Sequence, residues 1–381
     1  DRFAGNSMGG QQFVQGPARQ TAGLFGPAAV CAPDGTVYMT AGTESKWAAS
    51  RIVRVTPDGR LRLLAGGGAS LEDGPASRAL IRVNTRTAPG LAYSKADNSL
   101  YFCHSTIPCV RRLYQKGDQW MVQTVAGSTT ESGTADGAGA AARFAGPRNL
   151  AIDGKGVIYV LDGTEKTFWM LRRIDKGNVT TVVRFKGGEQ LVDGPFETAT
   201  IAIAMCGMIA VGETDDGLYI ADMSHTAVRR LDLRAKTITT VAGMPKPKEW
   251  RPDKQTPQEK RYGANSDGPA LTMASFNAGC AFACWDAARK VLWCGGPDET
   301  SVRWLKDGWL KTVLPPKATG IFYGNPDRVL DRTGMKSSDM APMSWLYVRD
   351  VDARGGVYLY NGACPTGLWR AYEVDAKGAA R

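Results

Sequence analysis

The chain has 381 residues, 43% of them apolar and 22% charged, with a formal net charge of +10. This composition excludes a disordered chain. The longest near-apolar stretch, Ile201 to Val211, is too short to cross a bilayer. The surplus cations are scattered rather than blocked, which argues against a nucleic-acid partner and leaves an acidic protein, glycan or membrane face as the charge-compatible surface.

Read in chain order, one pattern recurs six times. It consists of a short apolar strand, a polar turn, a second strand with an aromatic near its start, a third strand carrying Arg, and a fourth ending like Val-Ala-Gly. Residues 11–16, QQFVQG, resemble one of the fourth strands but stand before the first repeat. The first repeat, 17–68, holds VYMTA and RIVRV. The second, 86–128, holds LYFCH, CVRRL and TVAGS. The third, 145–186, holds IYVLD, MLRRI and TVVRF, and the fourth, 203–243, holds LYIAD, AVRRL and TVAGM. The fifth, 275–315, reads VLWCG and SVRWL, with Leu292 in the aromatic position. The sixth, 345–381, reads VYLYN and GLWRA and lacks a fourth strand. Asp-Gly turns at Asp73, Asp136, Asp193 and Asp267 separate the repeats, and two segments break the pattern, 244–268 and 315–345.

Four short antiparallel strands repeated at about 60-residue spacing predict an all-β, six-bladed β-propeller of four-stranded antiparallel blades. Residues 11–16 are expected to complete the last blade, so that an N-terminal strand closes the ring and hides two sheet edges. One domain spans 1–381 in this reading.

The polar residues of the repeat come next. Asp162 and Asp222 end second strands, and Arg172 and Arg229 lie on the adjacent third strands, so they are expected to form structural ion pairs. At the acidic position the second repeat has His104 and the fifth has Gly295. Arg111 and Arg303 therefore lack the built-in carboxylate and are candidates for ligand or partner binding, together with His104, unless other carboxylates replace the missing one. Cys103 with Cys109, and Cys280 with Cys294, flank hairpins and are the candidate disulfides if the compartment is oxidising. Only two His occur, His104 and His225. Cys103 and His104 are adjacent in a strand and face opposite sides, and the inner-strand set Asn149, Arg349 and Asp350 is too small for a hard cation. No cofactor and no metal site is expected, with calcium or zinc kept for the enzyme alternative. The breaks contribute Trp250 and Tyr262 in a Lys- and Pro-rich arm, and Phe322, Tyr323 and Trp345 in the second loop, as candidate partner contacts.

The order DG…A…F…P, then D..G followed by LYIAD-type strands, then VRRL, then TVAG resembles the NHL-repeat family of six-bladed propellers. The third repeat, DGAGAAARFAGPRNLAIDGKGVIYVLDGTEKTFWMLRRIDKGNVTTVV, carries it most clearly. The resemblance implies a fold that hosts binders, scaffolds and a few enzymes. Its lyase-type members are expected to hold zinc through several His, which this chain does not possess. The reading is a non-catalytic protein- or ligand-binding scaffold, a possible subunit of a larger assembly, placed in the secreted, periplasmic or extracellular space and engaging a protein partner. The alternative is a lyase- or hydrolase-type propeller with a metal in the central channel.

Overall fold

The computed structural model describes residues 2–4, 16–17, 25–45, 48–84, 90–104, 106–164, 169–202, 208–243, 267–272, 276, 282–295, 302–314, 346–351, 357–361 and 367–371. Among these residues the chain forms six antiparallel sheets. The first runs Phe25–Cys31, Val37–Ser45, Ala48–Val55 and Arg60–Gly66. The second runs Leu91–Ser94, Ser99–His104, Ile107–Lys116 and Gln119–Gly127. The third runs Pro147–Ile152, Ile158–Asp162, Met170–Asp175 and Asn178–Arg184. The fourth runs Ile209–Val211, Gly217–Asp222, Ala227–Asp232 and Thr237–Ala242. The fifth runs Phe282–Asp286, Val291–Gly295, Val302–Lys306 and Trp309–Leu314. The sixth runs Leu346–Val351, Val357–Asn361 and Gly367–Ala371.

The first five sheets share one strand order, and each has a fifth, two-residue strand outside the expected four. In the second, fourth and fifth sheets this strand is the Gly-Pro after the Asp-Gly aspartate: Gly74–Pro75, Gly194–Pro195 and Gly268–Pro269. In the third sheet it is Gly137–Ala138. The segment read as a turn between repeats is therefore the outer edge of the sheet that follows it. Pro suits that place because an edge strand does not need every N–H.

The closing strand also differs from expectation. The sixth sheet is completed by Arg2–Ala4, which pairs with Gly367–Ala371. Gly16–Pro17, at the end of the expected 11–16 strand, pairs instead with Arg60 and Leu61 at the outer edge of the first sheet, and residues 11–15 lie outside the described residues. The principle of an N-terminal strand on the last sheet holds, with other residues supplying it.

The first strands of consecutive sheets touch in a cycle that closes from the sixth sheet back to the first. Side-chain hydrogen bonds link neighbouring first strands: Asn149 Oδ1 accepts the Ile209 N–H at 2.7 Å, and Asp350 Oδ2 accepts the Cys31 N–H at 2.6 Å. Two inner-strand residues considered as cation ligands thus have a role in joining sheets.

Strand alternation sends one face of each sheet to the preceding sheet and the other to the next. Leu100 and Phe102 pack with Tyr38 and Ile52 of the first sheet, while Cys103 and Val110 pack with Leu150 and Val160 of the third. Leu218 and Ile220 meet Tyr159 and Leu161, and Tyr219 and Val228 meet Leu292 and Leu310. The core is a series of seams, each side chain the size of Leu or Phe contributing about 1.5–3 kcal/mol on full burial. Register corrects one repeat position: Trp293 lies opposite Trp304, as Tyr219 lies opposite Arg230, so Trp293 and not Leu292 holds the aromatic place.

Two outer hairpins turn through Lys176–Gly177 and Asp307–Gly308, where both residues have positive φ (49° and 81°, 48° and 75°). That backbone matches the twist of the flanking strands.

Candidate functional site

The largest buried polar side chains are four arginines, Arg111, Arg172, Arg229 and Arg303, each at most 2% exposed. Each lies on a third strand and meets the aspartate of the preceding Asp-Gly segment: Asp73 at 3.6 Å, Asp136 at 2.9 Å, Asp193 at 2.8 Å and Asp267 at 3.3 Å. The same carboxylates accept hydrogen bonds from the backbone N–H and the hydroxyl of a fourth-strand threonine, Thr124, Thr181, Thr240 or Thr312. Each unit thus ties the outer edge, the fourth strand and the third strand together through one charge.

Arg111 and Arg303 follow the alternative in which other carboxylates replace the missing one. They do meet carboxylates, Asp73 and Asp267, which lie some 36 to 38 residues earlier in the chain and not at the end of the neighbouring strand. Arg172 and Arg229 have a second carboxylate as expected: Asp162 at 3.1 Å and Asp222 at 3.3 Å, both fully buried. Burial raises the Asp162 carboxyl above its usual range, against the N–H groups of Gly146 and Ala145 and the Arg172 charge. Arg111 has no such partner, and among the described residues its Nε and Nη1 make no hydrogen bond. Burial draws its guanidinium below the ordinary value.

His104, at the acidic position of the second sheet, turns to its own hairpin, where its Nδ1 lies 2.8 Å from Thr106 Oγ1 and accepts the Thr106 N–H. His225 is bound on both sides: Nδ1 is 2.8 Å from Asp222 Oδ2 and Nε2 is 2.9 Å from the Gly188 carbonyl. Burial would lower its pKa, but Asp222 and the Gly188 carbonyl together raise it.

Cys103 and Cys109 are both free and buried, not bridged. The register explains it: Cys103 stands opposite Val110 and Cys109 opposite Gly127, so the two thiols leave the hairpin on different faces. Burial pushes the Cys109 thiol up to about 12 and Cys103 well above its ordinary value, which keeps both neutral and unreactive. Cys294 stands opposite Ala283 and Arg303. Cys280, Trp250, Tyr262, Phe322, Tyr323 and Trp345 lie outside the described residues. Among the described residues no group of three His, Cys, Asp or Glu converges as metal ligands, and no helix is long and apolar enough to cross a membrane.

Among the described residues, an open cleft of about 710 Å³ lies at the seam between the fourth and fifth sheets. Tyr219 and Trp285 stack inside it, centroids 6.0 Å apart and planes 21° apart. The Tyr219 hydroxyl donates to Glu213 Oε1 at 3.2 Å, and burial with that carboxylate pushes its pKa up to about 12. Leu271, 55% exposed, lines the wall together with Lys290 and Lys306. Sequence reasoning missed this site. The signal available was Trp285, a large ring on a first strand at a place that the third and fourth repeats fill with Ile152 and Val211.

No family model and no curated protein matches the chain. Solved structures do. A structural-genomics protein of unknown function from Bacteroides thetaiotaomicron aligns over 97% of this chain and 74% of its own, at 12% identity and a TM-score of 0.57. The fold is an all-β propeller. An auxiliary nutrient binding protein from Bacteroides ovatus aligns with this propeller over 97% of its chain and 76% of the other, at 12% identity and a TM-score of 0.55. A virginiamycin B lyase from Staphylococcus aureus aligns over 94% and 97%, at 11% identity and a TM-score of 0.45. At these identities the likeness concerns the propeller fold alone.

Proposed function

We propose that the protein is a non-catalytic binding propeller, that all six sheets form one ring in a single domain, and that its ligand site is the cleft between the fourth and fifth sheets. The observation that carries this reading is where the chemistry-bearing side chains go. The paired buried charges, Asp162 with Arg172 and Asp222 with Arg229 and His225, are spent on contacts within the fold, whereas the cleft is open and bordered by exposed Lys290 and Lys306. A concave site with aromatic walls and a few polar groups is the usual form of a small-molecule site. The name of the B. ovatus neighbour, an auxiliary nutrient binding protein, supports capture of a small compound, and with it a secreted, periplasmic or extracellular location. The 244–268 arm and the 315–345 loop, with Trp250, Tyr262, Phe322, Tyr323 and Trp345, are the proposed protein-partner contacts, and the arm joins the chain just after Thr240 and Val241 of the cleft.

Dialysis of the purified protein against a mixture of small metabolites, followed by mass spectrometry and elemental analysis, tests the reading. The expected result is one retained compound, recovered unchanged, with no stoichiometric metal. Calcium or zinc removed by a chelator together with turnover of the retained compound overturns it in favour of the lyase or hydrolase alternative.

A further inference from the structure

Among the described residues two seams carry an aromatic stack, and their registers match position by position. Tyr38 lies opposite Arg54 and Tyr219 opposite Arg230. Tyr93 lies opposite Leu100, and Trp285 opposite Leu292. At the outer edge, the Ala76 N–H donates to the Trp120 carbonyl at 2.9 Å, and the Ala270 N–H donates to the Gly308 carbonyl at 2.7 Å. Trp120 and Gly308 therefore hold equivalent places, two residues before Val122 and Leu310, which face Gly74 and Gly268.

The side chains can then be compared one for one. In the seam between the first and second sheets, Tyr38 stacks on Tyr93 at 5.8 Å, and the Trp120 indole packs edge-on against Tyr38 at 6.4 Å. In the seam between the fourth and fifth sheets the stack is kept as Tyr219 on Trp285, but the place of the third ring falls to a glycine. Among the described residues Gly308 has nothing within 4 Å of where a Cβ would stand, and it lines the cleft with Tyr219 and Trp285. The seams on either side of the third sheet have Ile152 and Val211 at the place of Tyr93 and Trp285, so neither repeats the two-ring floor.

Resting on the cleft reading above, we propose that this site takes a small ligand presenting a planar aromatic or heteroaromatic ring of indole size, seated edge-on against Tyr219 where Trp120 sits in the other seam. Ring edges carry partial positive charge and ring faces partial negative charge, so a stacked pair with an open flank favours a third ring over a saturated one of equal volume. Two lysines, Lys290 and Lys306, and two carboxylates, Glu213 and Asp307, line the same cleft, so charge does not select the ligand and the ring does.

The test is a calorimetric titration of the full chain with indole, with cyclohexanol as the saturated comparison. The blocking variant is Ala287→Trp. Ala287 is exposed and lines the cleft from a turn, whereas Gly308→Trp would be strained at a φ of +75°. Saturable one-to-one binding of indole, weakened roughly tenfold or more in Ala287→Trp and not reproduced by cyclohexanol, is expected. Failure of indole to bind, equal binding to the variant, or equal binding of cyclohexanol overturns the ring assignment. If indole fails while a compound retained in dialysis is lost in Ala287→Trp, the ring assignment falls and the cleft reading stands.

Discussion

Arg172 and Arg111 occupy the same place in successive sheets with different partners. Arg172 meets Asp162 and Asp136, while among the described residues Arg111 meets a single carboxylate, the half-exposed Asp73 at 3.6 Å, and donates to the Glu72 carbonyl. Removing one partner of a buried pair leaves the other charge stranded, which costs about 3–5 kcal/mol. Arg172→Met should therefore destabilise by that amount, because Asp162 is left fully buried. Arg111→Met should cost distinctly less, because Asp73 keeps water and Thr124. Denaturant midpoints of the two variants check the order. A second residue-scale prediction concerns His225. Its folded pKa is raised, so its contribution is fully present below the unfolded value of about 6.5 and is lost as pH rises through the folded value. The wild-type melting temperature should fall across that window, and His225→Gln should flatten the fall. Equal slopes in both proteins would show that another group sets the pH dependence.

At the scale of the element, the two-residue outer strands hold on through their aspartates more than through their length. Gly137–Ala138 pairs with only Asn178 and Val179, yet Asp136 binds both Arg172 and Thr181. Burial opposes ionisation of Asp136, but the Thr181 hydrogen bonds and the Arg172 charge bring its carboxyl below the usual range. A lowered folded value means that this support is present above an unfolded pKa of about 3.9 and is lost as pH falls through the folded one. Asp136→Ala should cost about 1.5–3 kcal/mol, the range for hydrogen bonds to a charged group. Hydrogen exchange should show the loss first at Thr181, with the rest of the third sheet still protected. The repeat itself was legible because its period is carried by short motifs such as VRRL and TVAG. The link from Arg111 to Asp73 was not, because the sequence showed a carboxylate near the arginine in two repeats and drew attention away from the one the sheet edge delivers. The cleft was hidden for a related reason: it depends on Gly308 falling where Trp120 stands, an equivalence visible only once strand register is known.

For the whole molecule, three residues complete the sixth sheet. Arg2 lies opposite Trp369 and Ala4 opposite Leu368, so removal of residues 1–4 would bare the edge of Gly367–Ala371. An unpaired edge strand is both a loss of hydrogen bonds and a template for other chains. The shortened protein should melt at a lower temperature and self-associate, which calorimetry and light scattering would register. Removal of residues 11–15 alone, with the linker length restored by Gly and Ser, should have much the smaller effect. If the two deletions destabilise equally, the closing role of Arg2–Ala4 is wrong.

The same pairing joins Arg2–Ala4 to residues more than 360 positions away, and this has a consequence for the time course of folding. Every other hairpin can form as soon as its own stretch of chain exists, whereas the ring cannot lock until Gly367–Ala371 has been made. During synthesis Arg2–Ala4 has no partner strand on the sixth sheet until then. The entropic toll of closing so long a loop grows only with the logarithm of its length, so the delay reflects order of arrival more than difficulty of closure. Ribosome-bound chains that end before residue 367 should then show protection inside the individual hairpins, with residues 2–4 gaining protection only once Gly367–Ala371 has been released.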